Sequence, residues 1–477
     1  MGEAGGAAAP VKRARKHLAL LLLCLASFMA VVDDTIVTIA LPSMRRGLGF
    51  TGADVQWVLN GYVLAFGGLL LLCGRAADLW GRRRMFLAGL ALFGVSSLLG
   101  GLAPSPWVLV LARVLQGVGA AAFVPASLSL LTSIFARGEE RNRAVGIYGG
   151  MAALGFVVGM VGGGMITELL GWRWVLFVNV PVALAALLAA PATVPESRDE
   201  GVPRVLDAPG AVTVTLGLAA LIYAVSEVPD PGLDSTVAFG TAGALLLVCF
   251  VVAERRSSAP LVPLRVFTTR RVIFPNAAIF LQSMIGLSWL YVLTLYFQNV
   301  LGHGPLAAGL LFAPMTLASV PAALVAGRLV TRFGVKPTAT GGLLLIGSGL
   351  LLMTRVSEAG GLPFVLCGMV VGECGFMLSN APLTIAATGG VGEDKRGLAS
   401  GLMNTSIQLG NGFGLAAVAT IIAAVAASKV AGGGDGLVGG LEWGLLLCVG
   451  IVAIALPVVL LGLRNDAGRS EPQVHTS

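Results

Sequence analysis

Apolar residues in this chain gather into long blocks, and the polar positions fall in short gaps between them. Fourteen blocks can be marked: 18–42, 54–74, 85–103, 107–134, 143–166, 172–191, 208–228, 235–254, 272–299, 307–331, 337–355, 362–388, 397–427 and 441–463. About 20 helical residues cross a hydrocarbon core of ~30 Å. Unpaired backbone groups are costly in lipid, so blocks of this length are expected as helices rather than open strands. The pair 208–254 is diluted by Pro209, Gly210 and Thr215 but keeps sufficient length. The expectation is an all-α polytopic membrane protein with fourteen transmembrane helices. The first block follows Lys12, Arg13, Arg15 and Lys16, as a signal peptide would, but it runs too long and carries Asp33 and Asp34. It is read as a retained span.

Composition agrees with this pattern. Of 477 residues, 56% are hydrophobic and 12% charged, against roughly 45–50% and about 25% in soluble domains. With the N-terminus placed in the cytoplasm and sides alternating, 25 of the 31 Lys and Arg fall in cytoplasmic segments. The outer segments hold Arg45, Arg46, Arg173, Arg355 and Lys429, and Arg113 lies inside a span. Such an excess fixes orientation by the positive-inside rule, with both termini cytoplasmic. The net charge of +7 therefore reports topology, and no nucleic-acid partner is expected.

Several chemistries lack their residues. The six cysteines lie inside apolar blocks with no C-x-x-C pair, and the three histidines sit at block edges or in a tail. No metal site, disulfide framework or cofactor is expected. No lysine follows a glycine, so the G-x-x-x-x-G-K-[ST] phosphate loop is absent. No nucleophile–base spacing argues for an enzyme, and a non-transporting membrane sensor lacks an appended soluble domain.

The chain also repeats itself. Gly74, Asp78, Gly81 and Arg82 lie in the loop after the second block, and Gly327, Arg328, Gly334 and Lys336 in the loop after the tenth. Both loops place glycines seven apart among basic residues, which suggests a duplicated six-helix unit. The expected division is a tail 1–17, a six-helix bundle 18–198, a linker 199–258 with two extra helices, a second bundle 259–464 and a tail 465–477. Secondary transporters built from repeats bind substrate near the midplane between halves.

Ionisable residues inside spans are functional candidates by default. Here they are Asp33, Asp34, Arg113 and Glu373. Counted from the outer ends at the helical rise, Asp33 lies about 13 Å deep, Arg113 about 9 Å and Glu373 about 15 Å. Asp33 and Arg113 are placed to pair, either as a proton-binding site or as a structural ion pair. Asp34 points about 100° away from Asp33. Neutral polar residues in spans are Asn60, Gln116, Asn179, Gln282, Asn380, Asn404, Gln408 and Asn411. They are candidates for the substrate cavity or for interhelical hydrogen bonds. Trp289 and Tyr291 of the ninth block are candidates for an aromatic pocket or an interfacial belt.

These segments resemble the major facilitator superfamily, in particular its fourteen-helix drug:proton antiporter branch. Asp33 to Pro42 resembles the first-helix signature of that branch, and Gly74 to Leu87 the cytoplasmic gating motif, with Leu79 in place of the usual basic residue. Leu109 to Ala121 resembles the fourth-helix motif, which implies a proton-coupling role for Arg113. Gly155 to Gly164, including Gly159 and Gly163, resembles the antiporter motif, with Met160 where proline is usual. Trp172 to Pro181 and Ala399 to Gly410 also resemble this branch. The resemblance implies two six-helix bundles plus two central helices, and proton-coupled efflux of drug-like or antibiotic molecules. Asp33, Arg113, Glu373 and Asp34 would carry the protons. The implied setting is a monomer in a bacterial cytoplasmic membrane, whose partners are the bilayer, protons and a small amphipathic substrate. Export or symport of one endogenous metabolite or lipid is the alternative.

Overall fold

Among the described residues, the fourteen apolar segments form fourteen helices, because helix is the only local structure that pairs every backbone group within its own segment. The structure, a computed structural model, describes residues 8–50, 54–135, 139–197, 207–226, 233–257, 269–356, 361–389, 396–431 and 436–463. No strand occurs among them. Of the expected tails, only residues 8–17 lie inside this set, where they continue the first helix.

The first half comprises α1 (Ala8–Leu48), α2 (Trp57–Trp80), α3 (Arg82–Gly101), α4 (Pro106–Ile134), α5 (Glu139–Leu169) and α6 (Trp174–Thr193). Next come α7 (Ala208–Ser226) and α8 (Leu233–Arg256). The second half comprises α9 (Arg270–Val300), α10 (Pro305–Phe333), α11 (Val335–Met353), α12 (Leu362–Gly389), α13 (Arg396–Ala431) and α14 (Gly436–Gly462). Thirteen are long and apolar enough to cross a membrane. The remaining one, α7, has 19 residues. Helix α1 runs past the expected end at Pro42 to Leu48, because one missing N–H is tolerated where packing holds the helix.

Packing repeats with a shift of eight helices. The pairs α1–α5, α2–α4, α3–α4 and α3–α6 of the first half correspond to α9–α13, α10–α12, α11–α12 and α11–α14 of the second. Across the halves, α2 meets α13 and α5 meets α10. Helix α7 packs against both α2 and α13, and α8 packs on α7. Val237, Leu245 and Val248 of α8 are each about three-fifths exposed, as a surface solvated by lipid requires.

The two ends of the bundle differ. At the end opposite the basic loops, here the far end, the halves are tied together. Gln298 Nε2 of α9 donates to Ile39 O of α1 at 2.8 Å, and the Leu306 N–H that opens α10 donates to Glu168 Oε2 of α5 at 2.8 Å. Gly164 of α5 abuts Pro305, and a Cβ at Gly309 would lie 2.7 Å from Met160 O. At the basic end the same two helices part. Gly146, Gly149 and Gly150 of α5 and Gly327 of α10 have open space at their Cβ positions, and Val145, Ile147, Leu324 and Val325 are exposed. The molecule is closed at the far end and open between α5 and α10 at the basic end.

Candidate functional site

In the interior of the first half, three helices, α1, α4 and α6, meet at one carboxylate. Asp33 of α1 is fully buried and forms an ion pair with the equally buried Arg113 of α4, through Nη1 and Oδ2. Its other oxygen accepts from Asn179 Nδ2 of α6 at 2.7 Å and from Gln116 Nε2 of α4 at 3.3 Å. Arg113 and Gln116 are three residues apart, so the helical period puts them on one face. Arg113 Nη1 donates to Gln116 Oε1 at 2.9 Å, and Nε donates to Val58 O of α2 at 3.0 Å. Gln116 in turn donates to Ser97 Oγ of α3 at 2.7 Å. The guanidinium carbon stands 4.4 Å from the Tyr62 ring centroid, within the range of a cation–π contact.

A buried ion pair is tolerated only when its remaining lone pairs and protons find partners. Both Asp33 oxygens have them. Arg113 Nη2 does not, which leaves one donor free on a group whose charge is already opposed.

The other intramembrane carboxylates are placed differently. Asp34 is half-buried, and its Oδ1 is enclosed without a hydrogen-bond partner. Glu373 of α12 is buried, and no described residue bonds to it. Its neighbour Gly372 lies directly against the Trp289 indole.

The structure sorts the neutral candidates by surroundings. Gln282 donates to Phe376 O and to Ser379 Oγ, each at 3.0 Å, and so stitches α9 to α12. Trp289 packs on Phe376 in the same seam, with ring centroids 6.3 Å apart, and Tyr291 is buried. Asn380 is exposed. Asn404 bonds back to Ser400 O of its own helix. Gln408, which accepts from Asn411, packs against Gly67 of α2 across the two halves. Asn60 is fully buried and neither polar atom of its amide has a partner, and the same holds for Gln56 one turn earlier.

The basic loop turns at Gly81, whose φ of 111° is open to glycine and strained for other residues. Arg82 reaches back to Asp78 Oδ1 at 2.8 Å. Asp78 is thus paired within its own loop, because the turn brings a guanidinium four residues away onto it. Arg83 and Arg84 lie 3.7 and 3.9 Å from Glu196 Oε2, beyond α6. Gly74 has open space around its Cβ position. Gly155, Gly159 and Gly163 form one stripe of α5 in direct contact with Phe28, Thr35 and Ile36 of α1. A side chain at any of the three would push the helices apart.

Two halves repeating one packing scheme, thirteen membrane-length helices and a cleft open at one end define a secondary transporter. A sequence model of the "Major Facilitator Superfamily" matches residues 23–415. The chain belongs to that family. It is 38% identical over 468 residues to the puromycin resistance protein of Streptomyces alboniger, covering 95% of this chain and 93% of that protein. It is 42% identical over 417 residues to the cephamycin export protein of Amycolatopsis lactamdurans, covering 84% of each. Among solved structures, a bacterial homologue of the human lysosomal transporter Spinster in an inward-facing conformation superposes with a TM-score of 0.62. It shares 16% identity and covers 94% of this chain and 97% of that one.

Proposed function

We propose that this protein is a proton-coupled exporter of amphipathic, antibiotic-like molecules across a bacterial cytoplasmic membrane, working by alternating access as a monomer. The basic loops face the cytoplasm, so the open end receives substrate from inside. The observation that carries the reading is the fully buried Asp33–Arg113 pair, because a compensated charge at this depth can be switched by a single proton. Protonating Asp33 removes the partner of Arg113 and loosens the ties from α1 to α4 and α6. Helix α1 is in direct contact with α5 along Gly155, Gly159 and Gly163, and α5 holds the far-end closure through Glu168 and Gly164. A change at Asp33 therefore has a continuous packed route to the contact that must break for outward release. Coupling requires that proton and substrate bind the two states with different affinity.

The relatives named above carry the names of puromycin and cephamycin, which supports antibiotic-like substrates. A strain stripped of its own efflux pumps, expressing this chain and challenged with a panel of antibiotics, tests this reading. Resistance to one or a few compounds is expected. Unchanged susceptibility to the entire panel, with the protein present in the membrane, would count against export of antibiotics.

A further inference from the structure

Away from the buried pair, the second half carries a cavity of about 680 Å³ at the basic end. Its walls come from the start of α9 and α11 and the last turns of α12 and α14. Arg270 and Arg271 stand at its rim, and Val335, Ile385, Leu461 and Leu463 supply an apolar lining. We propose that this cavity binds the phosphate headgroup of an anionic phospholipid from the leaflet at the basic end.

The two arginines set the ligand's charge. Both are exposed, and neither has a hydrogen bond or ion pair with any described residue. Arg270 makes only a cation–π contact, 5.3 Å from the Phe274 centroid. The contrast with the first half is direct. There Arg82 is bonded to Asp78, while Arg83 and Arg84 lie beside Glu196. Two adjacent guanidiniums without a counter-ion among the described residues attract an anion at a membrane boundary, and basic pockets between transmembrane helices are suited to lipid headgroups. Guanidinium groups match phosphate with paired N–H donors.

The walls select a lipid over a soluble phosphate. Ile385 and Leu461 are 49% and 73% exposed, so the apolar lining continues onto the lipid-facing surface. An acyl chain can follow it while the headgroup stays at the arginines. Helix dipoles add little, because two helix starts and two helix ends meet at the same cavity.

Native mass spectrometry of the purified full-length protein, titrated with phosphatidylglycerol or phosphatidylcholine, tests the assignment. Near an anionic surface each arginine contributes on the order of 1 kcal/mol. Losing both in Arg270→Gln/Arg271→Gln is therefore expected to weaken phosphatidylglycerol retention about 30-fold. Arg255→Gln/Arg256→Gln, at the end of α8 and outside the cavity, should leave retention unchanged. Both variants should melt like the wild type without added lipid. Equal retention of the two lipids, or equal loss in both variants, would overturn the site. Displacement of the lipid by millimolar inorganic phosphate would overturn the lipid assignment in favour of a soluble anion.

Discussion

Gln56 and Asn60 should oppose closure of the far end, and replacing both by leucine should trap the closed form. Together with Val63 and Gly67 they form a stripe spaced four, three and four residues apart, one face of a helix. Val63 and Gly67 pack on Gly412 and Gln408 of α13, and the short 3-10 turn Asp54–Gln56 also touches α13. Two amides are thus closed inside the bundle with all four polar atoms unpartnered among the described residues. Each such buried group costs about 1–3 kcal/mol, and separating the halves at the far end returns both to water. The closed form then carries at least about 2 kcal/mol that Gln56→Leu/Asn60→Leu removes, a shift of about 30-fold toward closed.

Spin labels at Arg46, in the last turn of α1, and His303, in the loop before α10, both exposed at the far end, would read the populations as a distance distribution. The background should lack the exposed Cys249 and Cys367. Because leucine also gains apolar burial in the closed state, Asn60→Ala isolates the amide's share, and Asn60→Asp should shift the balance the other way. A distribution unchanged in the double leucine variant, or displaced toward long distances, would refute the reasoning.

Removing Arg113 leaves Asp33 buried without its counter-ion. Arg113→Met should cost about 3–5 kcal/mol, read as a lowered melting temperature in detergent, and adding Asp33→Asn should recover most of it. Equal loss in the single and double variants would contradict the pairing. Gly159→Leu should abolish the monodisperse peak in size-exclusion chromatography by forcing α5 off Thr35, whereas Gly146→Ala should elute as wild type. Glu168→Gln replaces a charged acceptor of the Leu306 N–H by a neutral one and should loosen the far-end closure. Being exposed, the contact is worth about 1 kcal/mol at most, so the same spin-label pair should move modestly toward open.

The helix count was readable because lipid demands long apolar segments, and each block announces itself. Asp33 and Arg113 were readable for the same reason: few charges remain inside spans, and the helical rise converts sequence position into depth. Asn179 stood out as polar but could not be joined to Asp33, because 146 residues separate them and only the packing of α6 on α1 brings them together. Ser97, an ordinary residue in a span, carried no signal. Gln282 and Trp289 show the opposite difficulty. A polar or aromatic residue in a span faces either a cavity or a neighbouring helix, and a rotation of about 100° per residue decides which. The packing turns both into the α9–α12 seam. Gln56 was not singled out in the sequence, and only its burial without a partner one turn before Asn60 marks it. Asp78 was marked by the gating motif, and the Gly81 turn supplies its partner, Arg82.

The central claim is that Asp33 links proton movement to export. Asp33→Asn keeps the shape and the amide donors' partner oxygen while removing the charge. In proteoliposomes with an imposed pH gradient, this variant should stay folded and bind substrate, melt below the wild type because Arg113 loses its counter-ion, and show no acceleration of export by the gradient. Gradient-driven export at the wild-type rate would contradict the account.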